Sequence, residues 1–225
     1  MIEPINGKAD RTRQHILRAA SRPFAVMPYT QVNLFDILTS ANVTKGVLYT
    51  HFGSKLQLAT ALVERHLDVS RKVGGRGVGL GLSGLEALID YCYVIAAADI
   101  SHYLTRASLN LFESVGRFDG LQDRVSKNWI HTFADIATRG INEGDIRPEC
   151  NPEHVAHAVA AIYLGTRQTS DLDDPQQFIG DFEAMLLLAL PGFTNPNRIP
   201  YFTGFIKRRS AFAIDNAAPL GADKL

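Results

Sequence analysis

The sequence predicts an all-α protein in two parts, a small N-terminal helical unit of residues 1–55 and a larger helical part of residues 56–225. Three observations carry this. Apolar residues recur at three- and four-residue spacing along nearly the whole chain, with no sustained period-two alternation. Cap residues (Asn33, Thr44, Ser54, Asn151 and Asp174) stand just ahead of successive apolar stripes. Six glycines within residues 74–84 separate an early set of short helices from a later set of long ones.

The first helix is expected from Arg11 to about Ala25, with Ile16, Leu17, Ala20 and Phe24 on one face. Pro23 should bend or end it, because proline lacks the amide and its ring crowds the preceding turn. Asn33 caps a second helix, with Asp36 near its positive end and Leu34, Ile37, Leu38 and Ala41 as its stripe. Asn42-Val43 makes a tight turn, and Thr44 caps a short third helix to about Thr50. Ser54 and Gln57 form a capping box, in which the serine accepts from the Gln57 amide and the glutamine reaches back. It opens a long helix to about Arg71 with Leu58, Leu62, Val63 and Leu67 inward. Further helices are expected over 85–98, 103–113, 121–142, 152–168 and 175–190. A last one, over 200–213, is amphipathic and carries Lys207, Arg208 and Arg209. The glycine stretch holds Gly79, Gly81 and Gly84 at the spacing of a dinucleotide fingerprint. That fingerprint works only between a strand and a helix. A helix precedes it here, so it reads as a flexible hinge and no cofactor is expected.

Composition bounds the function. A chain of 225 residues with 46% hydrophobic and 20% charged residues is ordinary for a soluble globular protein. The net charge is zero, but residues 1–55 carry seven basic against three acidic side chains. A basic end on an otherwise acidic chain suits contact with phosphate. Cys92 and Cys150 have neither metal-ligand nor redox-motif spacing and read as reduced thiols of a cytoplasmic protein. The start lacks an apolar leader segment, and no run nears the roughly 18 apolar residues a membrane span requires. The longest apolar run, 184–190, ends at Pro191 and reads as a buried helix.

Two short helices joined by a tight turn, with a helix on either side, make a helix-turn-helix. The second of the pair opens with small and polar residues, as a helix entering the major groove would, its amides toward phosphate. Lys45 and Tyr49 can reach bases or backbone, Gly46 permits close approach, and His51 and Lys55 stand where backbone contacts are expected. Each alone has a blander meaning: a solvated lysine, a half-buried aromatic, a packing histidine. Only the constellation argues for DNA.

Residues 13–59 resemble the DNA-binding domain of the TetR family. The resemblance rests on Ile16-Leu17, Ala19-Ala20, Phe24, Tyr29, Asp36-Ile37 and the run from Val43 to Lys55. Pro23, Pro28 and Leu56 depart from the family's usual residues. The resemblance implies DNA contacts at Thr44, Lys45, Gly46, Tyr49, His51 and Lys55, with Phe52 in the core. It also implies a C-terminal helical domain that binds ligand and dimerises. The dimer is expected through the helices at 152–168 and 175–190, by the faces of Val155, Ala156, Val159, Ala160 and Tyr163, and of Phe178, Phe182, Met185, Leu186 and Leu190. Intramolecular core is the alternative for those faces. Operator DNA, a small-molecule inducer and a second copy of the chain are the implied partners.

A narrower resemblance, to the γ-butyrolactone autoregulator receptors, rests on three features. They are the order Val-Thr-Lys-Gly-x-Leu-Tyr-x-His-Phe, the single tryptophan Trp129 in a long middle helix, and Gly165-Thr166-Arg167. It implies that Trp129 lines a signal pocket. Leu109, Phe112, Tyr91, Ile95 and Phe133 are candidate neighbours, and the Tyr163 hydroxyl could cap the cavity. The same residues would serve as ordinary core. The resulting expectation is a dimeric repressor released from a palindromic operator by a small, mostly apolar signal, with the long helix from Ser54 as its lever. A regulator of the same type without a small-molecule ligand, a pseudo-receptor or a protein-gated one, is the alternative. An enzyme is disfavoured: Glu113 and Glu143 lack a paired acid or base, and His154 and His157 lack further metal ligands.

Overall fold

The computed structural model describes residues 7–74, 81–118 and 120–222. Its helices are α1 (Gly7–Val26), α2 (Leu34–Ala41), α3 (Lys45–His51), α4 (Lys55–Gly74), α5 (Gly84–Ser101), α6 (Tyr103–Val115), α7 (Leu121–Asn142), α8 (Pro152–Thr169), α9 (Pro175–Ala189) and α10 (Ile199–Asp215). The described residues contain no strand beyond one isolated bridge between Ile146 and Thr194. The fold is all-α, as the periodicity predicts. The hinge expected over 74–84 includes residues 75–80, which lie outside the described residues.

The chain packs into two compact units, one of Met1–Asp68 with Tyr103–Gln122, the other of Val69–His102 with Asp123–Leu225. Backbone packing assigns α6 to the N-terminal unit.

In the first unit, Ile16, Leu17, Ala20, Phe24, Ile37, Leu48, Phe52, Leu58 and Leu62 form the buried core. Pro23 does not stop α1 at once. The helix runs three residues further to Val26, and the Met27 amide still donates to the Pro23 carbonyl at 2.9 Å. The late position explains this, since little of the helix lies beyond the proline. The terminal carbonyls of α1 find a partner far along the chain. The Asn110 side-chain amide donates to the oxygens of Phe24 and Ala25, each at 3.1 Å. Ser108 on the same helix donates to the Leu62 carbonyl of α4 at 3.0 Å. α6 belongs with this unit because it satisfies these helix-end and backbone groups.

The local caps form as expected. Asn33 accepts from the Phe35 amide, Thr44 from the Val47 amide and Ser54 from the Gln57 amide. Asn42, at φ 48°, closes α2 in the left-handed region, which asparagine tolerates. The box at Ser54 differs in one detail. The Gln57 side chain reaches one residue further back, to the Gly53 amide at 2.8 Å.

In the second unit, α5 starts from a cap the sequence reading passed over, a full Ser83–Glu86 capping box. Gly84 sits against α7 so closely that a Cβ there would lie 2.2 Å from the Gly140 nitrogen. The two glycines let the backbones meet, and the Gly84 amide donates to Glu143 at 2.5 Å. An aromatic cluster fills the interior: Tyr93 and Tyr163 each meet Phe182 edge-on, at 5.4 and 5.6 Å between centroids. α10 closes the unit with Phe202, Phe205 and Ile206 inward. Ion pairs from Arg198 to Asp145 and from Arg209 to Asp90 hold it.

Of the residues expected at the dimer faces, Met185 is exposed and Ala160 half-buried, while the rest take the alternative place in the core. Val155, Ala156, Val159, Tyr163, Phe178, Phe182, Leu186 and Leu190 are all buried within the chain itself. The outward faces of the same helices carry Ala158, Ala161 and Gly165 on α8 and Ala184, Met185 and Leu188 on α9. The apolar run 184–190 is thus split, with Leu186 buried and Leu188 77% exposed. A long helix packed on one side still leaves another face open, and an apolar run alone does not say which. No helix among the described residues is long and apolar enough to cross a membrane.

Candidate nucleic-acid interface

The first unit offers α3 as a short helix with two chemically different sides. Leu48 and, just past the helix end, Phe52 are buried and anchor it. Thr44, Lys45, Gly46, Val47, Tyr49 and Thr50 are exposed. Gly46 is informative. A Cβ there would meet nothing nearer than the Thr44 hydroxyl oxygen at 3.9 Å, so internal packing does not demand glycine. The missing side chain clears room on the outer face, where another molecule's backbone can come close. The Gly46 carbonyl accepts from Thr50 Oγ1 at 2.9 Å.

Two lysines flank this face, each set over an aromatic ring. Lys45 Nζ lies 5.7 Å from the centroid of Tyr49, one turn along α3. Lys55 Nζ lies 4.4 Å above Tyr29, whose ring stacks on buried Phe24. Partial burial lowers the Lys55 pKa from the usual lysine value. Cation–π attraction holds the ammonium in place while its outer side stays available to an anion. Arg13 lies 5.2 Å from the Phe52 ring, and half-buried His51 stands beside that ring at 6.4 Å. Thr44, Lys45, Gly46 and Tyr49 therefore share one exposed face, with His51 and Lys55 less exposed at its exit. Tyr29 contributes a role the sequence reading did not give it, seating Lys55. Phe35 was missed altogether. It lies off the buried stripe of α2 and is 68% exposed. An aromatic outside an amphipathic stripe was the available signal.

The candidates for the ligand pocket fall into both units, and each is described in its own. In the first, Leu109 is buried and Phe112 half-buried. In the second, Tyr91 and Phe133 meet edge-on at 5.2 Å, while Trp129 and Ile95 are half-buried. The Tyr163 hydroxyl, expected to be a cap for a cavity, donates to Asp99 at 3.1 Å. Arg167 pairs with that carboxylate through Nε at 2.7 Å, with side-chain exposures of 2% and 0%. Burial, followed by the charge of Asp99, raises the Tyr163 pKa well above that of an ordinary tyrosine. This network was not legible beforehand, although Arg167 had been noted. Among the described residues no group of three or more His, Cys, Asp or Glu could hold a metal.

Residues 16–62 match the model of the bacterial regulatory proteins of the tetR family. The A-factor receptor protein of Streptomyces griseus is 28% identical over 196 residues, covering 86% of this chain and 68% of that protein. A γ-butyrolactone receptor (ArpA-like) superposes with a TM-score of 0.75 at 25% identity, covering 91% of this chain and 99% of its own. CprB of Streptomyces coelicolor, solved with its operator sequence, gives 0.74 at 25% identity, with 91% and 99% covered.

Proposed function

We propose that the chain is a regulator of the tetR family, whose model its residues 16–62 match, and that it is a ligand-released transcriptional repressor akin to the γ-butyrolactone receptors. In this reading residues 1–55 read DNA, while residues 56–225 hold the ligand and form the dimer. The observation that carries it is the outer face of α3. It presents Lys45, Gly46 and Tyr49, and the glycine is one that internal packing does not need. Thr44 and Tyr49 offer hydroxyls to base edges or phosphates, and Lys45, Lys55 and His51 offer donors to the backbone.

One such unit reads a half-site. A palindromic operator requires two, their α3 helices about 34 Å apart for one duplex turn. The outward faces of α8 and α9 supply an apolar surface for a second copy. Ala158, Ala161 and Gly165 permit close approach, and Met185 and Leu188 supply area. In the second unit Trp129, with Ile95, Tyr91, Phe133 and Tyr163, is the candidate surround for a small, mostly apolar signal. Release follows if the signal binds more tightly to a state unable to match the operator spacing. The extent of release is set by that difference in affinity alone.

The same family member without a small-molecule ligand is the second reading. Its support is that Tyr91 and Phe133 pack on each other and Tyr163 is committed to Asp99, as in an ordinary core.

Native mass spectrometry with a duplex selected from a random library tests both. A complex of two chains with one duplex, dissociated by a butyrolactone that also changes Trp129 fluorescence, is the expected result. A complex that persists with every lactone offered favours the second reading. Failure of any duplex to bind overturns the DNA-reading role.

A further inference from the structure

A single exposed phenylalanine is ordinary on a protein surface, and what singles out Phe35 is where it stands. Phe35 is 68% exposed. It lines an open groove of the first unit together with Thr39, Val43, Thr44 and Lys45. Two of those, Thr44 and Lys45, begin the face assigned above to DNA. The Phe35 backbone is fixed: its amide donates to the Asn33 cap at 2.9 Å, and its carbonyl accepts from Thr39 Oγ1 at 3.0 Å. The ring therefore stands at a set height on α2 beside the opening of α3.

A phenyl ring has no donor for a phosphate oxygen and no partner for a base's hydrogen-bonding groups. In the major groove of stacked B-form DNA the accessible apolar group is the thymine 5-methyl. We infer that Phe35 is a specificity-determining residue that reads one thymine methyl per half-site, beside the contacts made by Thr44 and Lys45. This rests on the DNA-reading function proposed above and adds to it the base that α2 recognises.

The experiment isolates the methyl group. In the selected duplex each thymine is replaced in turn by uracil, which removes that methyl and nothing else, and binding of the full-length protein is measured. One position per half-site should weaken the complex by roughly fourfold, the affinity equivalent of one buried apolar carbon. Phe35→Ala, which removes the ring from both half-sites, should bind the parent duplex more weakly by roughly the square of that factor, about sixteenfold, and lose sensitivity at that position alone. Phe35→Leu should restore part of both. A Phe35→Ala protein with the parent's uracil profile overturns the inference, as does a selected half-site without thymine. If no duplex is recovered from the library, the DNA-reading function itself fails.

Discussion

Replacing Asp99 with alanine should destabilise the second unit by about 3–5 kcal/mol, the usual cost of leaving one member of a buried ion pair without its partner. The magnitude follows from the surroundings. Arg167 Nε lies 2.7 Å from the Asp99 carboxylate, and the two side chains are 2% and 0% exposed, so water cannot replace the lost partner. The Tyr163 hydroxyl loses its acceptor as well, which adds about 1–3 kcal/mol and places the variant toward the upper end. Arg167→Met should cost less, because the carboxylate keeps the tyrosine donor. Replacing all three polar groups together (Asp99→Leu, Arg167→Met and Tyr163→Phe) should recover most of the loss, since none of the three then leaves another unpaired. The single tryptophan, Trp129 on α7, reports on the same unit by fluorescence. In urea, with a slope of about 2 kcal/mol/M, Asp99→Ala should lower the midpoint by roughly 1.5–2.5 M at matched protein concentration. A shift below about 0.5 M for both single variants would refute the reasoning, because it would mean the pair is solvated.

Lys55→Ala should weaken duplex binding across sequences and flatten its salt dependence by roughly one unit, as expected for one lost phosphate contact; an unchanged slope removes Lys55 from the interface. Leu188→Glu, at a site 77% exposed, should leave helicity intact while light scattering shows the dimer giving way to monomer; an unchanged dimer would move the interface off α9. A thiol reagent at pH 8 should label the native chain once, at half-buried Cys150. Cys92 is buried with its thiol pKa pushed up to about 12, by burial first and the nearby Asp90 charge second, and so stays a protonated thiol at that pH. Rapid labelling of both cysteines would show that α5 is not packed as described.

By itself the sequence determined what depends on neighbours a few residues apart. Asn33, Thr44 and Ser54 each cap a helix through an amide two or three residues on. These caps space α2, the turn at Asn42 and α3 so that the outer face of α3 was legible in advance. Tertiary structure alone decided what depends on residues distant in sequence. Asn110 serves the end of α1 across 86 residues, and Arg167 meets Asp99 across 68. A periodic pattern records that a helix has an apolar side without recording its partner, so it left Val159 and Phe182 open between a dimer face and the chain's own core, where they are buried. The same limit hid Phe35. Its place off the stripe was legible, but its nearness to Thr44 and Lys45 acquires meaning only once α2 and α3 are packed.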